Sequence, residues 1–455
     1  MPTWQRKTLL FLCLYELFRI VYLCQLIDYV VRVLIVQHKT ESKFQENDMI
    51  HKRLLLIVAA LYTLAQNGWS QAWTKVGTKE ALNAAIADGA QIRLTADIAL
   101  SEYLKIGQSG TQSVTIDLNG HTLSRSLSAV NSNGHVIEVF TQGTLTVTGG
   151  TLSGGWATNG GGICNFGNLT LNNVAITGCK ATDGGIHNKA GATLTITGGS
   201  IKDCRSDASG GAVVNYGTAT ISGCTMSSNI TTTRGGAIWS NNTLDVEGCT
   251  FTGNDALAVG GDGQNEGDGG AIHINGGTAT LTGVTITGNK SKDAGVIYVS
   301  SGATLSLGGN SSLTGNVSSE HGGGAIVNQG TTSLSGTVSI TGNRCKTNGG
   351  GIWNNGTLQM QGGIVVSGNT LESGVTQNVF LKKDKVITVK GAFTTDASIG
   401  VYLETINGTF TSGYNTYNSS DPGTYFKPDI ASQSVTLSGG EATLSTPEGQ
   451  VYYID

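Results

Sequence analysis

The chain has 455 residues, 38% of them apolar and 67 of them glycine, twice the usual share of roughly 7%. Collagen is excluded by the lack of a Gly-X-Y period, and disorder by a steady supply of Ile, Leu and Val. The net charge is −4, and −7 after residue 72, where 19 of 27 basic and 26 of 31 acidic residues lie; with no basic stripe, nucleic-acid binding has no support.

Residues 1–48 read as a lead upstream of the true start, Met49. A membrane anchor over residues 8–36 is the alternative, but Glu16, Arg19, Asp28 and Arg32 interrupt it, and charges inside a span are costly. Residues 49–72 have the form of a secretory signal: His51-Lys52-Arg53, then an apolar run from Leu54 to Leu61, then Ser70-Gln71-Ala72 at the cleavage positions. The exported chain is expected to begin at Trp73, with no cysteine there to carry a lipid. Residues 73–113 form an N-terminal cap, with a short amphipathic helix between Thr78 and Ala87 whose inward face carries Leu82, Ala85 and Ile86.

From Val114-Thr115-Ile116-Asp117-Leu118 onward the chain is organised by one returning phrase, plainest as Gly235-Gly236-Ala237-Ile238-Trp239 and Gly269-Gly270-Ala271-Ile272-His273. Its copies centre on Ile163, Ile186, Val213, Ile238, Ile272, Ile297, Ile326 and Ile352, at intervals of 23, 27, 25, 34, 25, 29 and 26 residues. A second phrase keeps step, as in Phe251-Thr252-Gly253-Asn254 and Ile286-Thr287-Gly288-Asn289, and a third run alternates apolar with polar, as in Leu194-Thr195-Ile196. Period two between Gly and Asn turns reads as strand, and runs this short bury too little to stand alone. Stacking successive repeats at about 4.8 Å gives an all-β parallel β-helix over residues 114–395, about three strands per coil, and residues 396–455 break the repeat as a C-terminal cap.

The paired Gly-Gly-Ala-Ile and Phe-Thr-Gly-Asn phrases, with the amphipathic lead-in, resemble secreted bacterial right-handed parallel β-helix proteins of the pectin-lyase-like fold, and in particular the repeats of the polymorphic outer-membrane protein family. The resemblance spans residues 80 to 395. It implies a right-handed coil and a secreted or surface protein used for contact, associated with an outer membrane. Members of that family end in a membrane β-barrel, for which residues 396–455 are too few.

Equivalent residues of successive coils lie above one another, so columns can be read off the sequence. The residue after each anchor should point outward: Cys164, His187, Val214, Trp239, His273, Tyr298, Val327 and Trp353. In a chain with 6% aromatics this stripe makes His187, Trp239, His273, Tyr298 and Trp353 the candidate ligand-binding residues, since flat rings stack on sugars or peptide side chains; the bland reading is packing under a loop. The column Asn229, Asn254, Asn289, Asn316, Asn343 and Asn369 reads as structural, bonding neighbouring turns and tolerating left-handed backbone, and so does Asn165, Asn188, Asn215, Asn328 and Asn354. Cys179 with Cys204, and Cys224 with Cys249, are 25 residues apart, spacing that allows vertical disulfides or buried thiols filling a ladder. The loop holding Asp262, Glu266 and Asp268 is the one acidic cluster dense enough to suggest calcium, and it matches no calcium motif.

An enzyme of this fold class needs reactive groups in company. Asp245 and Glu247 alternate on one strand, about 6.7 Å apart, but their stacking neighbours Thr220, Ser222, Thr280 and Thr282 are hydroxyls that cannot tune a proton transfer. His187 and His273 are separated by about 14 Å, too far to act together. The expectation is therefore a monomeric, exported, adhesin-like contact module without cofactor, binding an extracellular glycan or a host or cell-surface protein. The alternative is a polysaccharide lyase or glycoside hydrolase using Asp245 and Glu247 or the acidic loop.

Overall fold

The computed structural model describes residues 73–257 and 267–446. The lead over 1–48, the export signal over 49–72, Asp262, Glu266 and the residues from 447 on lie outside the described residues. The fold is nearly all β, 52% strand and 4% helix, wound as a parallel β-solenoid of about 13 turns.

Each anchor phrase forms a three-residue strand, such as Ile163–Asn165, Ile186–Asn188, Ile238–Ser240, Ile272–Ile274 or Ile352–Asn354. These strands pair in parallel with the anchor of one coil opposite the anchor of the next, from Ile163 through Ile186, Val213, Ile238, Ile272, Ile297 and Ile326 to Ile352. All eight anchors are fully buried. Burying an aliphatic side chain contributes roughly 1.5–3 kcal/mol, which offsets the ordering of a coil only when the coils above and below cover it. The 34-residue interval leaves Ile238 opposite Ile272 all the same, so the longer interval does not disturb the register of the anchors.

The alternating run makes a second column, where Thr193–Thr197 turns Leu194 and Ile196 inward and its threonines outward. The second phrase makes a third, stacking Ile201, Met226, Phe251, Ile286, Leu313 and Ile340. Beyond these three runs, each turn from Trp156–Asn159 to Thr370–Leu371 adds a very short strand, and together they make a separate nine-stranded parallel sheet. That fourth column has too few residues per turn to show a period in sequence.

Two steric demands write the Gly-Gly phrase. The first glycine takes a left-handed backbone, φ +71° at Gly235 and +66° at Gly269, as L side chains rarely do. The second has no room, because a Cβ on Gly236 would sit 2.0 Å from the carbonyl oxygen of Gly270, and one on Gly270 would sit 2.1 Å from that of Lys290. In the second phrase the left-handed residue is the glycine, not the asparagine: Gly253 has φ +61°, and Asp203 and Ser228 hold φ +55° and +53° where the phrase lacks glycine.

The asparagine that follows builds a buried polar spine. Each Asn Nδ2 donates to the Oδ1 of the next coil's Asn, at 3.0 Å from Asn229 to Asn254, 2.8 Å to Asn289, 3.1 Å to Asn316, and 2.9 Å to Asn343 and again to Asn369. The same oxygen accepts the backbone N–H of the coil below, and Nδ2 gives its other proton to a carbonyl, as Asn316 does to Ile286. The spine runs on through Asn378 and ends at Asp429, which accepts the backbone N–H and the Nδ2 of Asn378 at 2.6 Å each. Burial pushes the Asp429 carboxyl up, against the pull of those two donors. A second, shorter spine links Asn165, Asn188, Asn215 and the Ser240 hydroxyl, and another rung joins Asn328 to Asn354.

Two pairs of cysteines stack in ladders, Cys179 and Cys204 in the file that leads to Asn229, and Cys224 and Cys249 in another. The backbone N–H of Cys204 donates to Asn229 Oδ1, and that of Cys224 to Cys249 Sγ at 3.3 Å. Cys164, Cys179, Cys204, Cys224, Cys249 and Cys345 are all buried free thiols. The vertical bridges that the spacing allows are not formed.

At the front, Lys79–Ala85 is helical, capped by the Thr78 hydroxyl accepting from the Ala81 N–H, with Leu82 buried. Parallel pairing reaches further in both directions than residues 114–395: it begins with Thr74–Val76 beside Ala90–Leu94 and continues through Ser398–Leu403 to Phe426–Pro428. Tyr and Phe there fill the core where the aliphatic repeat lapses, with Phe410, Tyr414 and Phe426 fully buried and Phe410 packed edge-on to Phe426 at 5.1 Å. An antiparallel sheet of Gly408–Thr409, Ser434–Ser438 and Glu441–Ser445 follows.

Candidate functional site

Alternation along the anchor strands turns the residue after each anchor away from the core. Register puts Cys164, His187, Val214, Trp239, His273, Tyr298, Val327, Trp353, Phe380 and Tyr402 in one file. The five ring residues expected to bind thus share a column, yet the column is not an open face. His187, Trp239 and His273 are buried, and only Tyr298 and Trp353 are partly exposed. The chain entering each anchor strand lies over the file: a Cβ on Gly269 would meet His273 Cβ at 2.9 Å, and one on Gly322 would meet Trp353 Cδ1 at 3.0 Å.

Rings pair within this covered file. His273 and Tyr298 stack at 4.9 Å, 14° from parallel. His187 has only Val214 above it in register, and the gap is filled by Tyr216 from the following turn, stacked on His187 at 5.5 Å and tilted against Trp239 at 4.9 Å. Burial pushes both imidazoles down to about 3, so both are neutral at physiological pH. His273 Nε2 meets the Ser300 hydroxyl at 3.2 Å, whereas neither ring nitrogen of His187 has a hydrogen-bond partner.

Beside the exposed end of the file are two adjoining clefts. The larger, about 280 Å³, is lined by Asp268, Asp293, Tyr298, His321, Gln329 and Trp353 among others. The smaller, about 240 Å³, is lined by Arg234, Asp268, His273, Asn275, Tyr298, Ser300, Ser301 and Gln329. Asp268, Tyr298 and Gln329 belong to both, so the pair is one groove of two lobes.

Asp268 is its most unusual group. It sits immediately before the left-handed Gly269, is 1% exposed, and neither carboxylate oxygen has a hydrogen-bond partner. Burial, with the charge of Asp293 adding to it, pushes its carboxyl up to about 7, against the pull of Arg234 and of the Ala294 amide, which lies near without the geometry of a hydrogen bond. Asp293 is more open and forms an ion pair with the exposed His321 through Nδ1. One carboxyl is thus pushed toward its protonated form by burial beside a second that is partly exposed and in contact with an imidazole.

Asp245 and Glu247 are exposed on the second column, opposite Thr220 and Thr280, and Ser222 and Thr282 respectively, and they line neither lobe. Of the loop acids only Asp268 is described; among the described residues no three His, Cys, Asp or Glu side chains are grouped to hold a metal ion. Sequence reasoning passed over Asp293, His321, Gln329 and Tyr216. A signal for Asp268 existed in the position just before each left-handed glycine, which reads Asp183, Ser209, Arg234, Asp268, Ala294, Gly322 and Asn348: a column whose chemistry varies beside a constant neighbour.

No protein-family model, no curated protein and no solved structure matches this chain.

Proposed function

We propose that this chain is an exported, non-catalytic contact module that binds an extracellular glycan in the two-lobed groove. The observation that carries the reading is the shared lining: the part-exposed rings of Tyr298 and Trp353 lie beside hydrogen-bonding groups of Asp268, Asp293, Asn275, Ser300 and Gln329, the mixture of flat apolar face and few polar partners that sugars require. Coils rise by about 4.8 Å, so the groove offers equivalent positions along a linear chain. The resemblance to polymorphic outer-membrane protein repeats and the signal-like residues 49–72 support export and a surface role. Binding on a glycan array, lost in Trp353→Ala and kept in Asp245→Asn, is the expected result; an array without a single bound glycan refutes it.

A second reading rests on the carboxyl pair. A polysaccharide-cleaving enzyme needs one carboxyl that holds its proton beside a second carboxyl, and Asp268, pushed up by burial, has Asp293 in the same cleft, whereas Asp245 and Glu247 line neither lobe. Release of new reducing ends from a bound glycan, abolished by Asp268→Asn, would establish it in place of the first.

A further inference from the structure

We infer that the larger lobe receives a cationic group, the ammonium of an amino sugar, held between the Tyr298 and Trp353 rings and the carboxylates of Asp268 and Asp293. The inference rests on the glycan reading above and narrows its substrate class.

Asp268 is 1% exposed and is one of the residues that line the cleft, and neither of its buried oxygens has a donor. A buried carboxylate without a donor is costly, and an N–H brought by a ligand is the group that relieves it. Asp293 offers a second oxygen pair to the same lobe, and its present partner His321, 64% exposed by its side chain, is held only at the surface and can be displaced. Tyr298 and Trp353 place aromatic faces in the same space, and such faces attract cations. Two carboxylates would repel an acidic sugar. A lysine side chain would use this lobe alone, whereas an amino sugar within a chain also uses the Asn275, Ser300 and Gln329 groups of the adjoining lobe.

Binding is linked to protons. Asp268 carries a proton part of the time near pH 7, and an arriving ammonium expels it, so uptake strengthens with pH over the range in which the ligand amine keeps its own proton. The other titratable groups facing the groove are Asp293, His321, Tyr298, Arg234 and His273, and His273 stays neutral throughout this range.

The test is calorimetry on the full chain at pH 6.5 with a β-linked glucosamine tetramer and its N-acetylated counterpart. The expected result is at least about tenfold tighter binding of the free-amine tetramer, about tenfold loss in Asp268→Asn and in Asp293→Asn, and no change in Asp245→Asn. The buffer dependence of the heat should show more proton release, net of uptake by the ligand amine, in the wild type than in Asp268→Asn, and equal values overturn the inference. Should Asp268→Asn fail to fold, Asp293→Asn and the buffer dependence of the wild type decide. Equal or tighter binding of the acetylated tetramer, lost in Trp353→Ala, overturns the ammonium site and leaves the glycan reading standing. Binding of neither tetramer, in a chain that binds nothing on the glycan array, overturns both. Asp268-dependent capture of a lysine-rich peptide without capture of the glucosamine tetramer also overturns the inference.

Discussion

Replacing Asp268 with Asn should flatten part of the pH dependence of stability. The carboxyl lies at about 7 in the folded chain against 3.8 when free, so the folded state holds its proton through a window in which the unfolded chain has lost it. A group shifted upward in this way stabilises the fold fully below pH 4 and loses that contribution as pH rises to 7. Three pKa units correspond to about 4 kcal/mol across the window. Asparagine has nearly the same shape and no proton to lose, so Asp268→Asn should gain on the wild type by up to that amount between pH 4 and pH 7. His187 and His273 act in the opposite sense, because imidazoles held at about 3 cost stability as pH falls below 6.5, and comparing the two proteins cancels them. The assay is urea denaturation at several pH values, with the ¹³C shift of the Asp268 carboxyl titrated in parallel. A midpoint near 4, or identical pH slopes in the two proteins, refutes the reasoning.

Ser228→Gly and Asp203→Gly should each stabilise the chain by about 1 kcal/mol, since both positions hold a left-handed backbone that neighbouring coils give to glycine; thermal melting checks the sign. Asn316→Ala should cost about 3 kcal/mol or more in urea denaturation, because it strands the Asn289 backbone N–H and opens the spine between Asn289 and Asn343. Gly270→Ala should abolish soluble folded protein, as judged by expression and circular dichroism, because the new Cβ meets the Lys290 backbone at 2.1 Å and neither side can give way.

The solenoid was legible because its rules are local and repeated. A strand of three residues that must hide one aliphatic side chain, followed by a turn that only glycine makes easily, leaves the same few letters at each pass, and Ile163 to Ile352 fall in register as their spacing implies. The fourth column was not legible, because two residues such as Arg205–Ser206 show no alternation. The groove was half legible. Tyr298 and Trp353 stand where the column places them, but burial of Trp239 and His273 depends on how the preceding chain folds over them, and outward direction alone does not report cover. Asp268 stands just before a repeated left-handed glycine and Asp293 one residue further out from the next one, in positions that keep no residue type from coil to coil, so no period marks either acid.

The asparagine spine gives the coil a sense of direction. Every amide hands one of its two hydrogens to the next asparagine on the C-terminal side, each link polarises the next, and Asp429 receives the last. A coil spliced between any two rungs would meet the same acceptor above and the same donor below. Duplication or loss of whole coils therefore changes the length of the rod while leaving both of its ends chemically satisfied.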